Sequence, residues 1–70
     1  MDYLVIIEAG DEGMVCAYVP DLPGCVAMGD TEQEVRSLIE EAIEAHIQAM
    51  REQGEMVPPP TSRAITIHAA

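Results

Sequence analysis

The chain begins with an apolar run, Tyr3-Leu4-Val5-Ile6-Ile7, whose β-branched residues predict a first strand. Glu8-Ala9-Gly10-Asp11-Glu12-Gly13 interrupts it with the Gly and Asp residues that suit a hairpin turn. From Met14 to Val19 the apolar run resumes as a second strand. Pro20-Asp21-Leu22-Pro23-Gly24 then breaks it, because each proline lacks a backbone donor and Gly24 tolerates a positive φ. Cys25 to Met28 is a short third strand closed by Gly29.

After Asp30 the period becomes helical. Val35, Leu38, Ile39, Ala42, Ile43, His46, Ile47 and Met50 recur at three- and four-residue steps and share one stripe. Thr31 with Glu34 fits a capping box, and Asp30, Glu32 and Glu34 place negative charge at the positive end of the helix dipole. Arg51 falls in the last turn, Gly54 is the expected C′ residue, and Pro58-Pro59-Pro60 cannot continue a helix. Beyond the prolines, Ala64-Ile65-Thr66-Ile67-His68 alternates and predicts a fourth strand.

The expected fold is a single α+β domain, residues 1–70, of two layers in the order βββαβ. One helix packs on one face of a mainly antiparallel four-stranded sheet, and the last strand pairs beside the first. A domain this small buries a modest share of its surface, so a homodimer, a tetramer or a bound partner is expected.

Composition changes the picture in two ways. Trp and Phe are absent, so the core must be built from Val, Ile, Leu, Met and Ala. Thirteen acidic residues against three arginines give a formal charge of −10, which repels phosphate backbones and anionic lipid and draws a basic partner. The same charge also keeps a small protein soluble. Tyr3 to Ile7 is too short for a signal segment and no stretch reaches membrane-spanning length, so a cytoplasmic protein without a membrane contact is expected.

Candidate chemistry is sparse. His46 falls on the apolar stripe and reads as a packed histidine, and His68 as a residue of the last strand. Cys25 follows a loop where a reactive thiol could sit, but no neighbouring basic group would activate it. Asp2, Glu8, Asp11 and Asp21 could in principle supply magnesium ligands, yet Asp2, Asp11 and Asp21 stand at strand ends or in loops, and the strand interiors are apolar. Glu40, Glu41, Glu44 and Glu52 occupy the helix face away from the stripe, which serves either as a solvated face or as a binding stripe. No catalytic residue, metal site or cofactor is implied.

The segment from Tyr18 to Thr31, with its Pro-Asp-Leu-Pro-Gly-Cys turn, short strand and Gly-Asp-Thr helix opening, followed by Glu32-Gln33-Glu34-Val35, resembles the HicB family of antitoxins. The likeness covers most of the chain. It implies a pared-down ribonuclease H-like domain without catalytic residues, which binds the HicA toxin, a small mRNA interferase, and occludes its active site. Many members continue into a helix-turn-helix or ribbon-helix-helix segment that binds DNA. This sequence stops about where that segment begins, so the resemblance implies the toxin-facing half of the role, with no direct nucleic-acid contact.

The sequence therefore reads as an antitoxin of a type II toxin–antitoxin system, with partner contacts expected at Asp21, Leu22 and Pro23 of the loop and at Glu40 and Glu44 of the helix. An orphan homo-oligomeric module with no cognate toxin is the alternative.

Overall fold

A computed structural model describes all 70 residues. Strands β1 (Ile6–Ala9), β2 (Val15–Tyr18) and β3 (Val26–Gly29) form an antiparallel sheet in the order β1-β2-β3, and helix α1 (Glu32–Glu52) follows. The first hairpin closes through Gly10 to Met14, where the Gly10 amide donates to the Met14 carbonyl at 2.7 Å. Glu12 and Gly13 both take positive φ in that turn, at 57° and 78°. Tyr3 and Val5 lie ahead of β1 and pack against the core, with the Tyr3 hydroxyl donating to the carbonyl of Pro58.

Strand register sorts the side chains. Ile7, Ala17 and Ala27 are directly opposed across the sheet, as are Ala9, Val15 and Gly29, and these rows face the helix. The alternate rows, Ile6–Tyr18–Val26 and Glu8–Cys16–Met28, face away from it. The helix lies across β3 and β2. Gly29 permits that approach: a Cβ there would come within 3.1 Å of Val35 Cγ2.

The helix begins and ends where its sequence says. Thr31 Oγ1 accepts from the Glu34 amide at 3.1 Å, satisfying one of the free N–H groups of the first turn. At the other end Glu55 N donates to Met50 O at 2.8 Å and Gly54 N to Arg51 O at 3.1 Å, with Gly54 at φ 72°. That pair of bonds around a left-handed glycine is a Schellman stop.

Six apolar residues form the buried core: Ala17, Val19, Leu22, Cys25, Val35 and Ile39. Two come from the helix and three from the β2–β3 connection. The connection folds tightly because Leu22 N donates to Val19 O, Cys25 N to Leu22 O, and Val19 N to Cys25 O, all within 3.1 Å. Gly24, at φ 86°, turns the chain so that Leu22 is fully enclosed.

The fourth strand is not formed, and the sheet has three strands. Ala64 to His68 is exposed and irregular, with Ile65 at 82 % and Ile67 at 75 % exposure. Energetics account for the difference. Burying two isoleucines yields about 3–6 kcal/mol, whereas fixing five residues of backbone costs about 5–10 kcal/mol, so the alternation alone does not hold a strand.

Leu22→Ala is expected to lower stability by about 2–5 kcal/mol through the cavity it leaves. Val26→Ala, on the outer face, should cost less than about 0.5 kcal/mol. Thermal melts followed by circular dichroism compare the two.

Candidate functional site

Every acidic side chain except Asp21 is exposed. On α1, Glu40 and Glu44 stand one turn apart on the same flank, each exposed. Glu44 borders a groove of about 680 Å³ between the helix and the N-terminal segment, with Met1, Tyr3, Ile43 and Ile47 supplying its apolar lining and Arg51 and Glu52 its polar one. Glu40 lies beside a wholly polar depression with Glu32, Gln33, Arg36 and Ser37. This flank therefore sets negative charge beside the accessible apolar surface of the Glu44 groove.

The β2–β3 loop lies elsewhere. Pro23 is exposed and lines a shallow depression with His46, Met50 and Pro58. Leu22 is entirely inside the core, and Asp21 is occupied by the chain's own C-terminal segment. One Asp21 oxygen, Oδ2, accepts from the backbone amides of Thr61 (3.0 Å) and Ser62 (2.9 Å), while Oδ1 accepts from their hydroxyls (3.0 and 2.9 Å). Of the five residues expected to meet a partner, the fold brings Glu40 and Glu44 together on one surface, sets Pro23 on another, and turns Asp21 and Leu22 to internal contacts.

The Asp21 clamp was not legible beforehand, because its donors lie 40 and 41 residues away and Thr-Ser after a proline run carries no signature of its own. The Ser62 amide is the largest influence holding the Asp21 carboxyl below its ordinary range; partial desolvation opposes it, and the Ser62 hydroxyl and both Thr61 donors reinforce it. Burial pushes the Cys25 thiol up, so its place is in the core and not in thiolate chemistry. No group of three or more His, Cys, Asp and Glu side chains is positioned to hold a metal ion. No helix is long and apolar enough to cross a membrane.

The molecule is thus a small meander with one covering helix and an acidic flank. Comparison with known proteins makes the class specific. Residues 3–69 match the family described as HicB_like antitoxin of bacterial toxin-antitoxin system, and the chain belongs to that family. The UPF0150 protein Ta0767 of Thermoplasma acidophilum is 39 % identical over 69 residues, covering 99 % of this chain and 100 % of that protein. An uncharacterised 14.9 kDa protein of Haemophilus phage HP1 is 43 % identical over 58 residues, which span 83 % of this chain and 43 % of that longer protein.

Two solved structures share the fold. The N-terminal domain of the Burkholderia pseudomallei antitoxin HicB superposes with a TM-score of 0.74 at 29 % identity, covering 84 % of this chain and 69 % of that one. A chain of the HicA3 and HicB3 toxin–antitoxin complex gives a TM-score of 0.71 at 34 % identity, with 86 % and 70 % covered. Membership places the chain among non-enzymatic antitoxins.

The Asp21 clamp sets a pH dependence with a defined sign. A carboxyl held below its ordinary value of 3.8 lends its stability fully above that value and loses it as pH falls through the lower folded-state value. Hydrogen exchange at the Thr61 and Ser62 amides should therefore be slow at neutral pH and accelerate, relative to the core, only on acidification below about pH 4. Asp21→Ala should remove that protection at every pH while leaving α1 protected.

Proposed function

We propose that the chain is the antitoxin of a type II toxin–antitoxin pair and neutralises a basic HicA-type RNA-cleaving toxin in the cytoplasm, binding over it without chemistry of its own. The observation that carries this reading is the flank of α1, where the exposed Glu44 borders an apolar-lined groove and the exposed Glu40, one turn away, borders a polar depression. A toxin that grips RNA must present positive charge and donors to phosphate, and an acidic rim beside apolar surface competes for the same groups. Family membership and the fold shared with a chain of the HicA3 and HicB3 complex support the pairing.

Contacts are assigned to Glu40, Glu44 and the exposed Pro23, with Asp21 and Leu22 holding the loop in shape from within. The two contact surfaces fit a partner that embraces the helix from both sides, since the Glu44 groove and the Pro23 depression are both lined by side chains of α1.

Mixing the chain with the basic product of an adjacent reading frame should abolish its RNA cleavage and yield a complex on size exclusion. Glu40→Lys with Glu44→Lys should weaken capture at least roughly tenfold, and raising salt should weaken the unsubstituted complex because the attraction is screened. Undiminished cleavage and no complex would remove the pairing, and unaltered affinity of the double variant would remove this flank from the interface.

A further inference from the structure

We propose, on the footing of the antitoxin reading, that the groove between α1 and the N-terminal segment seats one segment of the toxin in a single direction. The segment's basic end meets Glu44, an apolar side chain lies over Ile43 and Ile47, and a carboxylate or carbonyl oxygen meets Arg51.

Helical spacing lays the groove out. Ile43, Ile47 and Arg51 follow one another at steps of four residues and form one row, with Glu44, Gln48 and Glu52 in the row beside it. From Ile43 to Arg51 the helix rises about 12 Å, the length of about two turns of a partner helix or four residues of extended chain. Tyr3 supplies the facing wall. Its hydroxyl donates to the carbonyl of Pro58, and Tyr3, Ile43 and Ile47 all pack against the core. The apolar middle of the groove is therefore in place before a partner arrives, which spares binding the cost of ordering it.

The polar groups at the two ends differ in kind. Glu44 offers an exposed carboxylate, an acceptor for a cation. The second carboxylate is partly engaged by its own row, since Glu52 Oε1 accepts from Gln48 Nε2 at 3.3 Å. Arg51, in the last turn of the helix, brings a guanidinium with five N–H donors and no acceptor. Along its length the groove thus runs acceptor, apolar, donor. A segment basic throughout would set one of its cations against Arg51, and a segment entering the other way round would oppose like charge at both ends. The flank as a whole attracts a basic protein, and the groove selects from it a segment that carries an acceptor about 12 Å from its cation.

Two reversals of equal charge separate this polarity from bulk attraction. Arg51→Glu and Arg63→Glu each replace +1 by −1 and take the formal charge from −10 to −12. Calorimetric titration with the basic product of the adjacent reading frame compares them. Arg51→Glu should weaken capture at least roughly tenfold, although it makes the chain more acidic, whereas Arg63→Glu, exposed and outside the groove, should hold or tighten it. Arg51→Gln removes the donor charge without placing an acid at the end of the helix, and should weaken capture about threefold or more. Circular dichroism follows the helix in each variant, and Arg51→Gln decides the matter if Arg51→Glu frays it. Capture that Arg51→Glu tightens, that Arg51→Gln leaves unchanged, or that Arg63→Glu weakens equally overturns the polarity while the antitoxin reading stands. Absence of capture by the unsubstituted chain overturns both.

Discussion

Val35 and Ile39 of the helix close over Ala17, Val19, Leu22 and Cys25, and this small contact is the constraint from which the other features follow. A core of six side chains without a buried aromatic ring supplies little apolar area, so each backbone detail that seats them matters. The two prolines and Gly24 bend the β2–β3 connection so that Leu22 enters from the sheet side, and Gly29 lets the helix descend far enough to meet it. Because the helix lies across β3 and β2, Ile7 on β1 remains partly exposed even on the helix side. One face of the sheet is therefore committed to the fold, while the other carries the exposed Val26 and Met28.

Much of this architecture could be read from the residues. The helix was legible at both ends because its signals are local: Thr31 with Glu34 at the start, Gly54 and the prolines at the stop. The meander was legible because Gly and Pro punctuate it at the right intervals, although the first strand sits later than its apolar run, the hairpin register having drawn Ile6 to Ala9 into pairing. The segment around Ile65 and Ile67 defeated the same reasoning. Alternation describes which residues could share a face, but it carries no information about whether a sheet edge offers enough to offset the ordering of the backbone.

The placement of the candidate contact residues was partly legible for the same reason. Glu40 and Glu44 follow from helical periodicity, which places them outside the stripe whatever the rest of the molecule does. Asp21 and Leu22 could not be placed without the fold, since the same Pro-Asp-Leu-Pro-Gly run can present its side chains outward or fold them in. Long-range hydrogen bonds to Thr61 and Ser62 decided the orientation of Asp21, and core packing decided that of Leu22.

The chain's connectivity bears on how it assembles in time. Each strand pairs with its neighbour in sequence and the helix follows the third strand directly, so β1, β2, β3 and α1 form through contacts of short separation. The ties of Tyr3 to Pro58 and of Asp21 to Thr61 and Ser62, with the packing of Val57 on the core, join parts of the chain far apart in sequence. A nascent chain can thus complete its sheet and helix before the final residues emerge, and the carboxylate of Asp21 acts as a late catch that closes on the last segment after the rest has set.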